Sequence, residues 1–202
     1  DVSRVKSMLS MFAGATSFNG DISKWDVGDV QTMHCMFWRA SSFKSDISKW
    51  DVSRVSSMYG MFWGAALFNS DISNWDVSSV SNMHGMFMDA AAFNTDISKW
   101  DVSNVKSIVS MFSGATSFNG DISSWDLCDV KTMHGIFHGA ELFNNDISKW
   151  DVSSVTSMHS MFWGATSFNR DISTWGRVKR FQHVWYVYGC GSIQHRYLKV
   201  GC

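Results

Sequence analysis

Aspartates are the first residues of this chain whose type and spacing could do chemistry. Aspartate fills two positions in each of seven consecutive 25-residue copies, which together hold fourteen of the 18 acidic residues. The two sets are Asp1, Asp26, Asp51, Asp76, Asp101, Asp126 and Asp151, and Asp21, Asp46, Asp71, Asp96, Asp121, Asp146 and Asp171. Each carboxylate could accept backbone N–H groups in a turn or helix cap, or carboxylates of successive copies could hold calcium. We favour the hydrogen-bonding interpretation, because the glycine-rich nonapeptide of calcium-binding β-rolls is absent.

Histidines form the one group with metal-like spacing. His134 and His138 lie four residues apart, and His159 follows one copy later. Two histidines at this spacing can share an ion, but no HExxH glutamate accompanies them. Catalysis by paired carboxylates needs two groups in unlike environments, whereas seven equivalent copies offer no distinct one. We therefore predict no catalytic residue, no metal site, no cofactor and no enzymatic activity.

A 25-residue period positions all of these side chains. Each copy follows the pattern DVSxVxxMxxMFxGAxxFNxDISxW and ends in Trp, without insertion or deletion. We number the copies repeats 1 to 7, from residues 1–25 to residues 151–175, and number positions 1 to 25 within each. One repeat alone buries too little apolar surface to fold, so neighbours must complete its core. Residues 1–175 are therefore predicted to form one solenoid domain.

Each repeat is predicted to contain one short helix and one short strand. In repeat 2, Val30, Met33 and Phe37 form an apolar stripe at helical spacing. The segment from Phe43 to Trp50 is short and extended in character. One strand and one helix in a unit of this length are typical of leucine-rich repeats. The predicted fold class is thus an α/β repeat solenoid that is leucine-rich-repeat-like.

The Gly, Met and Trp positions allow further predictions about the backbone at position 14 and about the core. Position 14 is Gly in five repeats, which fits a left-handed residue at a helix end, but Arg39 and Asp89 replace it. We infer that a positive φ is not obligatory at that position. The Met and Trp columns are interpreted as core packing in preference to a cofactor box or a carbohydrate platform. Because Trp is seldom fully buried, a half-exposed Trp stripe remains an alternative.

The charge distribution argues against a nucleic-acid partner. Residues 1–175 hold 12 basic and 18 acidic residues, whereas binding to phosphates depends on Lys and Arg. No run approaches the roughly 18 consecutive apolar residues that a membrane span needs. The sequence therefore predicts no nucleic-acid partner and no membrane span.

The positions that differ among repeats indicate where a ligand could bind. Positions 9 and 13 would lie one helical turn apart beside the apolar stripe, and several repeats carry large rings there. The candidate binding residues are His34, Trp38, Tyr59, Trp63, His84, His159 and Trp163. Such rings are enriched at interface hot spots, but they could equally cover the seam between adjacent helices. Both interpretations remain open.

Residues 176–202 depart from the repeat pattern. They contain five basic residues and no acidic residue. Suitable synonymous codons for this segment, read one base out of frame, encode DVSSVSNMYGMFMDAAAFNTDISKWDV, which matches the repeat that begins at Asp76 with one change, Tyr in place of His84. We therefore predict that the tail is a frameshifted eighth repeat of a longer array. Reading the nucleotide sequence across codons 175 and 176 tests this hypothesis.

The repeat pattern also carries a family resemblance. The segment MFxGAxxFNxDISxWDVSxVxxM, as from Met11 to Met33, resembles the repeat of BspA-like leucine-rich-repeat surface proteins, which also occurs in mycoplasma lipoprotein-like and algal proteins. The resemblance covers residues 1–175. It implies a leucine-rich-repeat-like fold, a cell-surface or secreted location, and adhesion or binding of a protein or glycan. The alternative function is a structural spacer in a cell wall or surface layer.

Overall fold

The computed structural model describes residues 1–177 as a stack of 25-residue repeats. Each repeat contacts the next through backbone hydrogen bonds between residues 24 to 26 positions apart. Regular secondary structure in this part of the chain consists of a 3-10 helix, Ser173–Arg177, and isolated parallel bridges at position 7. The bridges join Ser7 to Thr32, Thr32 to Ser57, Ser57 to Asn82, Asn82 to Ser107, and Thr132 to Ser157.

Backbone hydrogen bonds alternate between the neighbouring repeat and the same repeat. In repeat 3, the N–H groups of Met58 and Gly60 donate to carbonyls of repeat 4, those of Asn82 at 2.9 Å and His84 at 2.8 Å. The N–H of Met61 lies between such donors in the pattern and donates instead to the Met58 carbonyl, at 3.2 Å. From position 10 to position 15, every second donor thus holds two repeats together, while the others close tight turns.

The predicted α/β solenoid with one helix and one strand per repeat is therefore wrong. An α-helix needs each N–H to bond four residues back, but here alternate N–H groups point to the next repeat. Positions 10 and 14 also have positive φ in all seven repeats, which interrupts a right-handed helix twice. The segment predicted as a strand, Phe43 to Trp50, forms no bridge, and the isolated bridges lie instead at position 7.

Arg39 and Asp89 correct a second expectation. Their φ angles are 56° and 57°, close to those of the glycines at the same position in other repeats, such as Gly64 at 72°. A positive φ is thus required at position 14 even where a side chain is present. A non-glycine residue in this conformation costs roughly 1–2 kcal/mol.

Apolar side chains stack on their equivalents through the middle of the array. Phe87 is fully buried, with its ring centroid 3.7 Å from that of Phe93 and 5.8 Å from that of Phe112 in the next repeat. Trp100 is 4% exposed, and its Nε1 donates to the carbonyl of Ile72 at 3.1 Å. The same bond recurs for Trp50, Trp75, Trp125 and Trp150. The interpretation of the Met and Trp columns as core packing is confirmed, and these internal tryptophans do not form a half-exposed stripe.

The aspartates of positions 1 and 21 cap turns. All fourteen accept a hydrogen bond from the backbone N–H two residues on. At Asp71, for example, Oδ1 accepts from the Ser73 N–H at 3.0 Å and from the Ser73 hydroxyl at 2.7 Å. These bonds lower the pKa of Asp71. The favoured interpretation of the aspartates as backbone acceptors is confirmed, in turns instead of helix caps.

The asparagines at position 19 are linked from one repeat to the next by hydrogen bonds, a series that we call the asparagine ladder. The Asn69 side-chain oxygen accepts from the Asn94 N–H at 2.8 Å, and the Asn94 oxygen accepts from the Asn119 N–H at 2.8 Å. Repeat 2 has Lys44 at this position, and a lysine side chain has no acceptor to offer the Asn69 N–H. The ladder is therefore interrupted between repeats 2 and 3.

Restoring this ladder should stabilise the protein. We expect Lys44→Asn to raise the free energy of unfolding by about 1 kcal/mol, the usual net contribution of one hydrogen bond. Urea unfolding followed by circular dichroism measures the change. Lys44→Ala is the matched control, because it removes the lysine without supplying an acceptor. Equal stabilities of the Asn and Ala variants would contradict the prediction.

Two further expectations concern the whole chain. In the part of the chain that the structure describes, no helix is long and apolar enough to cross a membrane. The predicted frameshifted repeat at 176–202 lies, from residue 178 onward, outside the described residues.

Candidate functional site

The variable rings form a surface along repeats 2 to 4, which we call the aromatic strip. It consists of His34, Trp38, Tyr59, Trp63 and His84, all of them half-buried. Each ring lies at position 9 or 13, next to a residue of positive φ at position 10 or 14. Since the repeats stack in register, equivalent rings of successive repeats lie side by side.

Position 9 gives a row of three rings, in which His34 stacks on Tyr59 and His84 lies tilted by 40° against it. The ring centroid of Tyr59 lies 4.3 Å from that of His34 and 4.8 Å from that of His84. Burial, together with the charge of His134, lowers the pKa of His84. The lowered pKa favours the neutral form of the His84 imidazole, which packs against Tyr59.

Position 13 adds a pair of indoles. Trp38 and Trp63 meet edge to face, with centroids 6.5 Å apart and planes at 84°, a favourable geometry for aromatic pairs. Carbon Cε3 of Trp63 passes 3.6 Å from where a Cβ on Gly60 would stand and 3.7 Å from the same point on Gly85. The indole thus lies over two glycines of neighbouring repeats, at van der Waals distance from both.

The remaining predicted residues lie at a distance from the strip. His159 and Trp163 belong to repeat 7 and are exposed, Trp163 to 47%. His159 stacks on His134 at 5.2 Å, and Trp163 lies 6.5 Å from His138. The seven predicted residues therefore fall into two separate clusters instead of one continuous surface.

The histidines of repeats 6 and 7 do not form a metal centre. Within residues 1–177, no group of three or more His, Cys, Asp or Glu side chains is arranged to hold a metal ion. His134, His138 and His159 are all exposed, so they are available for contacts with a ligand surface.

Two charged residues beside the strip were missed in the sequence. The Arg39 guanidinium carbon lies 4.5 Å from the Trp38 ring centroid, a cation–π contact. The Asp89 carboxylate accepts from the Trp63 Nε1 at 3.3 Å. Both residues are exposed. The sequence does mark both residues, since Arg39 and Asp89 are the two departures from Gly at position 14. From the sequence alone, these departures indicated only that a positive φ is not obligatory there.

These contacts hold the strip in one arrangement. Each indole has both a ring neighbour and a charged neighbour. Large rings with few rotatable bonds lose little conformational entropy when they bind a partner. The arrangement thus suits recognition of another molecule by contact with its surface.

The stacked copies make the chain a tandem-repeat protein. A family model described as "Mycoplasma protein of unknown function, DUF285" matches residues 1–66, 43–141 and 121–190, and the chain belongs to this family. The prediction of a tandem-repeat family is thereby confirmed. No curated protein and no solved structure matches the chain.

Proposed function

We propose that this protein is a non-catalytic binding module that contacts a protein or glycan at a cell surface. The observation that carries the proposal is the aromatic strip, whose rings stay half-exposed while the Phe and Trp columns of repeats 2 to 6 are buried. The resemblance of the repeat to BspA-like surface proteins supports the cell-surface location and the adhesive role. A family of unknown function adds no activity of its own.

The aromatic residues are the expected source of affinity. Truncation of a hot-spot Trp typically costs 2 kcal/mol or more of binding energy, which corresponds to about 30-fold in Kd. Trp38 and Trp163 are suitable positions, because each is partly exposed and they lie in different clusters. Loss of either side chain should leave the buried columns intact.

Binding of the labelled chain to intact cells and to a glycan array tests the proposal. We expect saturable binding by the wild type and a loss of about 30-fold for Trp38→Ala or Trp163→Ala. Lys99→Ala, at an exposed position away from both clusters, is the control and should bind as the wild type does. Protease treatment of the cells abolishes binding if the partner is a protein, and glycosidase treatment if it is a glycan.

Two results would overturn the proposal. Undiminished binding by both Trp variants would remove the aromatic clusters from the interface. A wild-type chain that binds neither cells nor glycans would favour the structural spacer, in which the rings only cover the seams between repeats.

A further inference from the structure

The backbone at position 14 singles out two charged side chains. Five repeats place Gly there, and all seven have positive φ. Arg39 and Asp89 therefore occupy a conformation that disfavours their side chains. Strained residues of this kind often mark functional sites, and both of these contact an indole of the aromatic strip.

Glycines create the space into which these side chains extend. The Cγ of Arg39 lies 3.2 Å from where a Cβ on Gly64 would stand, so the arginine passes over repeat 3. The Asp89 carboxylate occupies the place that a Cβ on Gly114 would need. Trp63 lies between, in the repeat that separates repeats 2 and 4. The exposed Arg39 and the exposed Asp89 thus lie in the repeats on either side of Trp63.

The spacing of Arg39 and Asp89 along the stack indicates what could bind. Two repeats at a parallel-bridge spacing of about 4.8 Å place the Arg39 and Asp89 backbones roughly 10 Å apart. In a polyproline-II helix, residues i and i+3 share a face and lie about 9 Å apart. Peptides in this conformation dock on grooves lined with aromatic rings.

We propose that Trp38, Arg39, Trp63 and Asp89 bind a polyproline-II peptide segment that carries one acidic and one basic residue three positions apart. The acid pairs with the Arg39 guanidinium, whose donors remain available while it stacks on Trp38. The base pairs with the Asp89 carboxylate, which retains acceptor capacity beyond its bond to Trp63. The apolar residues between them cover the Trp63 indole. This inference rests on the proposed binding function and assigns it a protein partner.

Synthetic octapeptides test the proposal. One pair of peptides carries Glu-Pro-Pro-Arg or Arg-Pro-Pro-Glu between flanking prolines, and matched peptides carry two Glu, two Arg, or opposite charges only two positions apart. Fluorescence anisotropy with the full chain should give about tenfold tighter binding for opposite charges at the i, i+3 spacing, since each exposed ion pair adds a modest amount. Equal affinities across all of the peptides, or no binding, would overturn the proposal.

A double substitution to the repeat's own residue provides the decisive variant. Arg39→Gly with Asp89→Gly should abolish the preference for opposite charges without lowering the melting temperature, because both changes relieve a disfavoured φ. Lys106→Ser with Glu141→Thr removes one base and one acid at exposed positions in repeats 5 and 6 and is the control. A preference that survives in the double glycine variant, or a clear fall in its melting temperature, would show that the charges serve the fold.

The outcome can be separated from that of the proposed function. Cell or glycan binding that depends on Trp163, together with equal affinities across the peptides, would leave the binding module standing and refute the peptide site. Peptide binding without any binding to cells or glycans would support the peptide site and refute the cell-surface location of the partner.

Discussion

Replacing Trp100 by Ala is expected to lower the free energy of unfolding by about 3–5 kcal/mol, the range for a buried large aromatic residue. The side chain is 4% exposed and packs beside Phe87, with ring centroids 6.3 Å apart. Its loss leaves a cavity between repeats and removes the donor to the Ile72 carbonyl. Stability in a repeat array depends on contacts between neighbouring repeats. A defect in repeat 4 should therefore weaken the coupling between repeats 1 to 3 and repeats 5 to 7.

Chemical unfolding of three variants checks this result. Trp100→Phe keeps an aromatic ring but not the Nε1 donor, so it should cost less than Trp100→Ala. Trp25→Ala should also cost less, because Trp25 in repeat 1 is only half-buried. Urea titrations followed by circular dichroism give the differences. A loss below about 1 kcal/mol for Trp100→Ala would contradict the assignment of this column to the core.

Acid is expected to destabilise the array progressively below about pH 4. Hydrogen bonds from Ser48, Ser73 and Ser98 lower the folded-state pKa of Asp46, Asp71 and Asp96 respectively. A lowered folded-state pKa contributes stability that is complete above the unfolded value of about 3.9 and is lost as the pH falls through the folded value. The same bond recurs throughout the array, so many small contributions disappear over one pH interval.

Repulsion between the position-21 aspartates of neighbouring repeats raises their pKa and so opposes the effect of the hydrogen bonds. The charges of Asp46 and Asp96 raise the pKa of Asp71, but less than the hydrogen bonds of Ser73 lower it. Urea midpoints measured from pH 7 to pH 2 decide between the two effects. The triple variant Asp46→Asn, Asp71→Asn, Asp96→Asn keeps side-chain acceptors that do not titrate, so its midpoint should depend less on pH. Wild-type stability that rises between pH 5 and pH 3 would mean that repulsion dominates.

The 25-residue period, the core columns and the role of the aspartates as backbone acceptors could all be predicted from the sequence. A residue such as Trp100 must pack against its equivalents whatever the local backbone does, so the columns could be identified without knowing the secondary structure. The local conformation could not be predicted in the same way. Val30, Met33 and Phe37 have helical spacing, but consecutive tight turns place residues at similar intervals on the same side.

The hydrogen-bond partners explain why apolar residues at helical spacing led to the wrong prediction of a helix. An isolated repeat would favour local bonds, whereas the stack offers every second N–H a carbonyl in the next repeat. Ser10, Cys35, Ser110 and Ser160 hide the positive φ at position 10, because only three repeats show Gly there. The candidate rings were identified from their variation, but the charged neighbours Arg39 and Asp89 acquire meaning only once φ is known.

The alternating hydrogen bonds make the repeat the unit in which this molecule can change length. Inserting one residue would change the separation of every donor and acceptor that lie on opposite sides of it, whereas inserting 25 residues would give each such donor an equivalent acceptor in the added copy. Each added copy would lengthen the stack by about 4.8 Å without altering the levels already present. The length of the stack is therefore set by copy number, while the side chains at positions 9, 13 and 14 can differ from one level to the next.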